Sequence, residues 1–238
     1  MSTTQRSALH DGLLWRACDG VYRALVVEAC FLAVCAPGIA LTAVLVPDPS
    51  NAPLFGAAAL PLGPALAAAL HSADRQLAGD DASPARTFWR GWRLNATDAL
   101  RLWAPAVAVL VVLAVSAGAA GAAPAGQVVR GVLAATAAVL AVVTVTALVV
   151  ATGFRFRTRD AARLAVHVLG RRPGTALGVV GSLVLAGALA LTSLWLALAA
   201  ASLWVLLLAM VTRGAVRLVA EEFTHHDEDD ENTYEGER

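Results

Sequence analysis

The stretch GTALGVVGSLVLAGALALTSLWLALAAASLWVLLLAMVTRGAVRLV, Gly174 to Val219, decides the fold. A helix crosses the roughly 30 Å hydrocarbon core of a bilayer with about 20 apolar residues, each rising about 1.5 Å. A run of about 45 residues is twice that length and must turn once. Thr192, Ser193 and Trp195 mark the turn, because tryptophan favours the membrane–water interface. The run therefore reads as two spans, Gly174 to about Trp195 and about Leu198 to Val219.

Four more apolar segments lie upstream: Ala24 to Val46, Leu54 to Ser72, Trp103 to Ala123 and Gly131 to Gly153. The chain as a whole is 58% hydrophobic and 15% charged, with mean hydropathy +0.66. Soluble domains carry about 25% charged residues, so this composition excludes an ordinary soluble domain. The expected fold class is all-α: a polytopic transmembrane helix bundle of about six spans, with amphipathic cytoplasmic helices. No cleavable signal peptide is read, since the first apolar run is too long and lacks a small-residue cleavage site.

The second span is the least regular, being short and containing Pro61, Gly63 and Pro64. Proline removes a backbone donor and kinks a helix. Membrane helices accept this only where neighbours satisfy the freed groups. A re-entrant or broken segment is the alternative to a full crossing here.

Arginine placement sets the expected orientation. All 18 basic residues are arginine, which with abundant Ala, Gly and Val suggests a GC-rich bacterial genome. With the N terminus inside, 17 arginines fall on inside segments and only Arg130 outside. Such a bias follows the positive-inside rule and places both termini in the cytoplasm. From Glu221 onward the tail EEFTHHDEDDENTYEGER holds 9 acids and 1 arginine; such a run cannot bury a core and is expected to be disordered. His225 and His226 beside Asp227 could hold a metal weakly, but a solvated tail is the preferred reading.

Two inside loops read as basic amphipathic helices. In the first, Ser83 and Pro84 make a helix start. Phe88, Trp89, Arg90, Trp92, Arg93 and Asn95 follow, with Trp103 at near-helical spacing. Arginine with tryptophan on an amphipathic helix suits the lipid headgroup layer, and the same face could dock a partner protein. The second loop, Thr158 to Arg172, sets Leu164 and Val168 against Arg159, Arg163, Arg171 and Arg172. Nucleic acid is not an expected partner, because orientation already accounts for the arginines. Membrane lipids are.

Glu28 is the one acid well inside a span. A charge there costs about 2.5–3.5 kcal/mol on insertion scales. A role in a polar cavity or helix contact is one reading; a structural or interfacial role, since Glu28 lies about a turn from the cytoplasmic end, is the preferred one. Candidate intramembrane positions are therefore Glu28 with the helix-breaking Pro37, Pro61, Gly63 and Pro64. Gly174, Gly178, Ser182, Ala186 and Ala190 form a small-residue stripe that lets another helix approach closely. Cys18, Cys30 and Cys35 read as small apolar packing residues rather than a disulfide or ligand set. No phosphate loop, dinucleotide fingerprint, nucleophile elbow or zinc motif occurs. No catalytic residue, cofactor or metal is expected, and the chain is read as a non-enzyme.

One combination of motifs resembles the YesL-like family of bacterial membrane proteins, a domain family of unknown function. It consists of Pro37, the segment Leu60-Pro61-Leu62-Gly63-Pro64-Ala65 with Ala68, and Phe88-Trp89-Arg90-Gly91-Trp92-Arg93 with Asn95. It covers roughly Val21 to Trp103; Glu28 departs from the uncharged residue the pattern leads one to expect. The resemblance implies a multi-pass inner-membrane protein that accompanies a carbohydrate uptake system, with a transporter permease as its partner. A stand-alone small transporter, with Glu28 and the Pro61–Pro64 break lining its path, is the alternative.

Overall fold

The computed structural model describes residues 13–46, 48–121, 124–153, 163–164, 170 and 173–212. Among them the regular structure is helical, with no strand. In chain order the helices are α1 (Leu13–Val44), α2 (Ala52–Ala59), α3 (Leu62–Leu77), α4 (Pro84–Ala119), α5 (Pro124–Gly153), α6 (Pro173–Thr192), α7 (Leu194–Ala199) and α8 (Ala201–Thr212). A short 3-10 turn, Pro49–Asn51, precedes α2.

Five segments are long and apolar enough to cross a membrane: Cys18–Val44, Ala52–Leu77, Pro84–Ala119, Ala125–Thr152 and Gly174–Thr192. The sixth expected span appears as α7 and α8, and its last residues, 213–219, lie outside the described residues. So do the N-terminal Arg6, nearly all of the Thr158–Arg172 loop, and the acidic tail with His225 and His226. The outer surface is apolar, with Leu191 92% exposed and Leu177 72% exposed. Water would penalise such a surface heavily, whereas lipid chains are its natural solvent. The chain is a polytopic membrane protein.

The span that looks weakest in sequence is the centre of the bundle. Every residue from Gly63 to Leu70 is buried, as are Ser72 and Ala73. A helix apolar on all sides belongs inside, and alanines let its neighbours come close. Helix α3 packs chiefly on α4 and also touches α1 and α5. The interruption before it is a kink rather than a reversal. Leu60 (φ −59°, ψ −41°) and Pro61 (φ −63°, ψ −20°) both keep right-handed helical dihedrals. Together α2 and α3 span 26 residues, Ala52–Leu77. The segment is thus interrupted by a kink, with no reversal of the chain at Pro61.

Two expected boundaries move. The first amphipathic loop helix and the third span are one helix, α4, which runs through Pro105. Ser83 does occupy the N-cap with Pro84 following, but its hydroxyl makes no capping bond; its carbonyl accepts from Thr87 N–H at 3.0 Å. The turn between the last two spans falls at Ser193 as expected, where the side chain accepts from Leu196 N–H. The sixth span, however, is not continuous. It breaks at Ala200 (φ −104°, ψ 5°), between α7 and α8.

Small residues set several close approaches. A side chain at Gly38 would strike the carbonyl oxygen of Ala58, and one at Gly178 would strike Val211. The small-residue stripe of α6 is therefore used partly within the chain. Gly178 and Ser182 face α8, whereas Gly174 and Ala190 remain exposed. Arg130, the arginine expected on the outside, also has a local role. Arg130 donates to the carbonyls of Ala117 (3.1 Å) and Ala120 (2.5 Å). These are end-of-helix acceptors left open at the C terminus of α4.

Candidate functional site

Two helix breaks and one basic helix face hold the residues singled out by the sequence. The first break is α2–α3. Pro61 and Pro64 carry no N–H, so the carbonyls of Ala57 and Leu60 lose their helical donors. Ala57 accepts instead from Leu60 N–H at 3.2 Å, and the Ala59 carbonyl sits between them at the kink. Trp103, from α4, reaches across and donates from Nε1 to the carbonyl of Ala59 at 2.9 Å. Its indole can seat there because position 63 has no side chain. A Cβ at Gly63 would lie 2.5 Å from Trp103 Cγ. Gly63 and Trp103 thus form one device that satisfies a kinked membrane helix from a neighbour. Pro64 is buried and Pro61 is partly buried beside them.

The second break is α7–α8, and Glu28 answers it. Its carboxylate Oε2 accepts from Ser202 N–H at 2.6 Å, across 174 residues of sequence. In an unbroken helix that N–H would bond to the carbonyl of Leu198. The break at Ala200 frees it, and an anion at a helix N terminus is favoured by the helix dipole. Glu28 is only 7% exposed. Helix α1 begins at Leu13, so Glu28 lies in the helix interior rather than near its end. Its other oxygen, Oε1, has no partner among the described residues. Pro37 lies one helix face away and is exposed, inside a helix that continues past it.

A cavity of about 130 Å³ lies between the two breaks. Cys35, Gly38 and Thr42 of α1, Ala59 and Leu62 beside the first break, and Leu198 beside the second line it. Its walls are apolar, and the Thr42 hydroxyl is turned to the Ile39 carbonyl of its own helix. The described cysteines are free: Cys35 is buried, Cys30 half-buried and Cys18 exposed.

The third feature is the N-terminal half of α4. Phe88 is completely buried and Gly91 packs against His71 of α3, where a Cβ would meet the imidazole at 2.9 Å. Trp92 is half-buried; its Nε1 and His71 Nε2 have no partner among the described residues. Asn95 folds back onto the Gly91 carbonyl at 3.1 Å. This inner face anchors the helix, so that Trp89 and the arginines point outward. Trp89 sits edge-on between Phe88 and Trp92, with ring centroids 5.8 Å apart in both pairs. Arg86, Arg90 and Arg93 are exposed. The sequence pattern groups all six aromatic and polar residues as one contact face, but the helix divides them. Phe88 and Gly91 face the bundle, and Trp89, Arg90 and Arg93 face out. At the same end, Arg23 bonds Asp19 (2.7 Å) and the Asp80 carbonyl (3.1 Å), tying α1 to the α3–α4 turn.

Sequence reasoning missed Ser202 and the pairing role of Trp103. Ser202 carries no local signal, because its neighbours are ordinary helix formers. Trp103 is flagged only as a spaced aromatic, although two prolines in the preceding span call for a donor somewhere nearby.

These features define a multi-pass helical membrane protein with two internally satisfied helix breaks. A family model described as "Protein of unknown function, DUF624" matches residues 25–117, from the middle of α1 to the end of α4. The match includes Glu28, both partners of the first break and the basic half of α4. No curated protein and no solved structure matches the chain.

Proposed function

We propose that this chain is a non-enzymatic accessory subunit of a bacterial inner membrane, holding its N and C termini in the cytoplasm and working beside a carbohydrate permease. The observation that carries the accessory reading is the outward face of α4. Burial of Phe88 and the Gly91–His71 contact fix the helix, and Trp89, Arg86, Arg90 and Arg93 are held toward solvent or a partner. Exposed tryptophan and arginine are the residue types that anchor protein contacts. Arginine at this end is also what the positive-inside rule places in the cytoplasm. The carbohydrate link rests on the family resemblance described from the sequence.

The test is a deletion strain and a tagged chain. Loss of the chain lowers uptake of a specific sugar, and gentle-detergent purification brings down a permease in fixed stoichiometry. Replacing Arg86, Arg90 and Arg93 by Gln weakens that association while the chain stays folded. Normal sugar uptake in the deletion strain removes the carbohydrate reading.

The second reading is a stand-alone transporter, favoured by the two breaks that meet around one cavity. Discontinuous helices are a transporter device. Against it, the Glu28 carboxylate is engaged by a backbone N–H and the cavity walls are apolar. Transport by the chain alone in liposomes, abolished by Glu28→Gln, would establish this reading in place of the first.

A further inference from the structure

Between α2 and α4 an open groove of about 470 Å³ runs along the outside of the bundle. Phe55 and Ala59 form one wall and Trp103, Leu110 and Ala114 the other, with Asp48 at its mouth. The walls are almost wholly apolar. From Trp103 to Ala114 the groove extends about 16 Å at 1.5 Å per residue. That equals about half of the roughly 30 Å hydrocarbon core, the depth of a single leaflet. Its volume lies within the roughly 300–1,000 Å³ of small-molecule sites. A helix, about 10–12 Å across, is too wide to enter it along that length. At the mouth, Asp48 Oδ1 accepts from both Ser50 N–H (2.8 Å) and the Ser50 hydroxyl (2.5 Å). Hydrogen bonding from the Ser50 hydroxyl holds this carboxyl below its usual range, so it carries its charge at neutral pH. The nearby Asn51 side chain is turned away, onto the Val46 carbonyl.

The geometry points to a lipid-binding site in the leaflet opposite the arginine-rich end: one acyl chain lies in the groove, and a primary ammonium headgroup, as in phosphatidylethanolamine, meets Asp48. An anionic headgroup without an ammonium is disfavoured there by the same carboxylate. The site is independent of any permease, and it uses no residue of the Glu28 cap.

The full-length protein is reconstituted with equal amounts of phosphatidylethanolamine and phosphatidylglycerol of identical chains, extracted in mild detergent and examined by native mass spectrometry. The wild-type chain retains phosphatidylethanolamine over phosphatidylglycerol by about five-fold, the scale of one exposed ion pair. Asp48→Asn, which keeps an acceptor for Ser50, brings the ratio near unity. Ala114→Trp fills the groove and removes both adducts. Equal retention by the wild-type chain, or none, overturns the proposal. So does a dimer that excludes lipid and is lost in Ala114→Trp, which would assign the groove to a second copy. If Ala114→Trp fails to fold, the Asp48→Asn ratio still decides.

Discussion

Glu28 Oε2 accepts the Ser202 backbone N–H at 2.6 Å, joining the first membrane helix to the start of the last helical segment. One buried acid thereby meets the break at Ala200 and links α1 to α8.

Removing that carboxylate leaves a buried N–H without a partner. Glu28→Ala is expected to cost about 1–3 kcal/mol, the range for a lost cap or an unsatisfied buried group. Glu28→Gln keeps an acceptor oxygen and costs less. Thermal unfolding of the two variants in detergent ranks them; equal stability of Glu28→Ala and wild type would show that the cap contributes nothing.

Trp103 and Gly63 should behave as a pair. Gly63→Leu drives a side chain into the indole and costs about 1–3 kcal/mol by overpacking. Trp103→Phe removes only the hydrogen bond to Ala59, worth about 0.5–1.5 kcal/mol, along with some ring volume. A double variant Gly63→Leu/Trp103→Ala recovers part of the Gly63→Leu loss. Strict additivity of the two losses would rule out direct contact.

The two close approaches at Gly38 and Gly178 differ in what they meet. At Gly38 the obstacle is the backbone carbonyl of Ala58, which cannot rotate away; at Gly178 it is the Val211 side chain, which can. Gly38→Ala is therefore expected to lower the unfolding temperature more than Gly178→Ala. The reverse order would place the tight α1–α2 contact in doubt.

Reporter fusions test the orientation. Joined after Asn51, Gly126 and Ser193 they should report the outside; after Gly79, at the arginine-rich end, the inside. A cytoplasmic signal at any of the first three breaks the six-span topology.

Much of the fold is written locally in the chain. Hydropathy marks the spans because each must by itself carry enough apolar surface to cross lipid, and the Ser193 turn is signalled by polarity and tryptophan. The kink before α3 is announced by Pro61 and Pro64. The break at Ala200 is not. The segment LALAAASLW holds no proline or glycine, and its interruption depends on a carboxylate 174 residues away. Likewise, the sequence marks Glu28 as unusual but cannot name its partner, because burial and depth are set by packing. The aromatic–arginine motif was visible as a unit, yet only packing against His71 decides that Phe88 turns inward while Trp89 turns outward.

Helix α4 is one uninterrupted element of 36 residues. At 1.5 Å per residue it measures about 54 Å, against a hydrocarbon core of about 30 Å. Some 20 Å or more of it must stand clear of the lipid chains, and this is the portion bearing Arg86, Arg90 and Arg93. A push delivered at that projecting stem cannot dissipate in a loop. It travels along the shaft to the indole of Trp103, just short of Pro105, that braces the kinked centre of the bundle, making α4 a tiller whose handle lies in water and whose blade lies in the membrane.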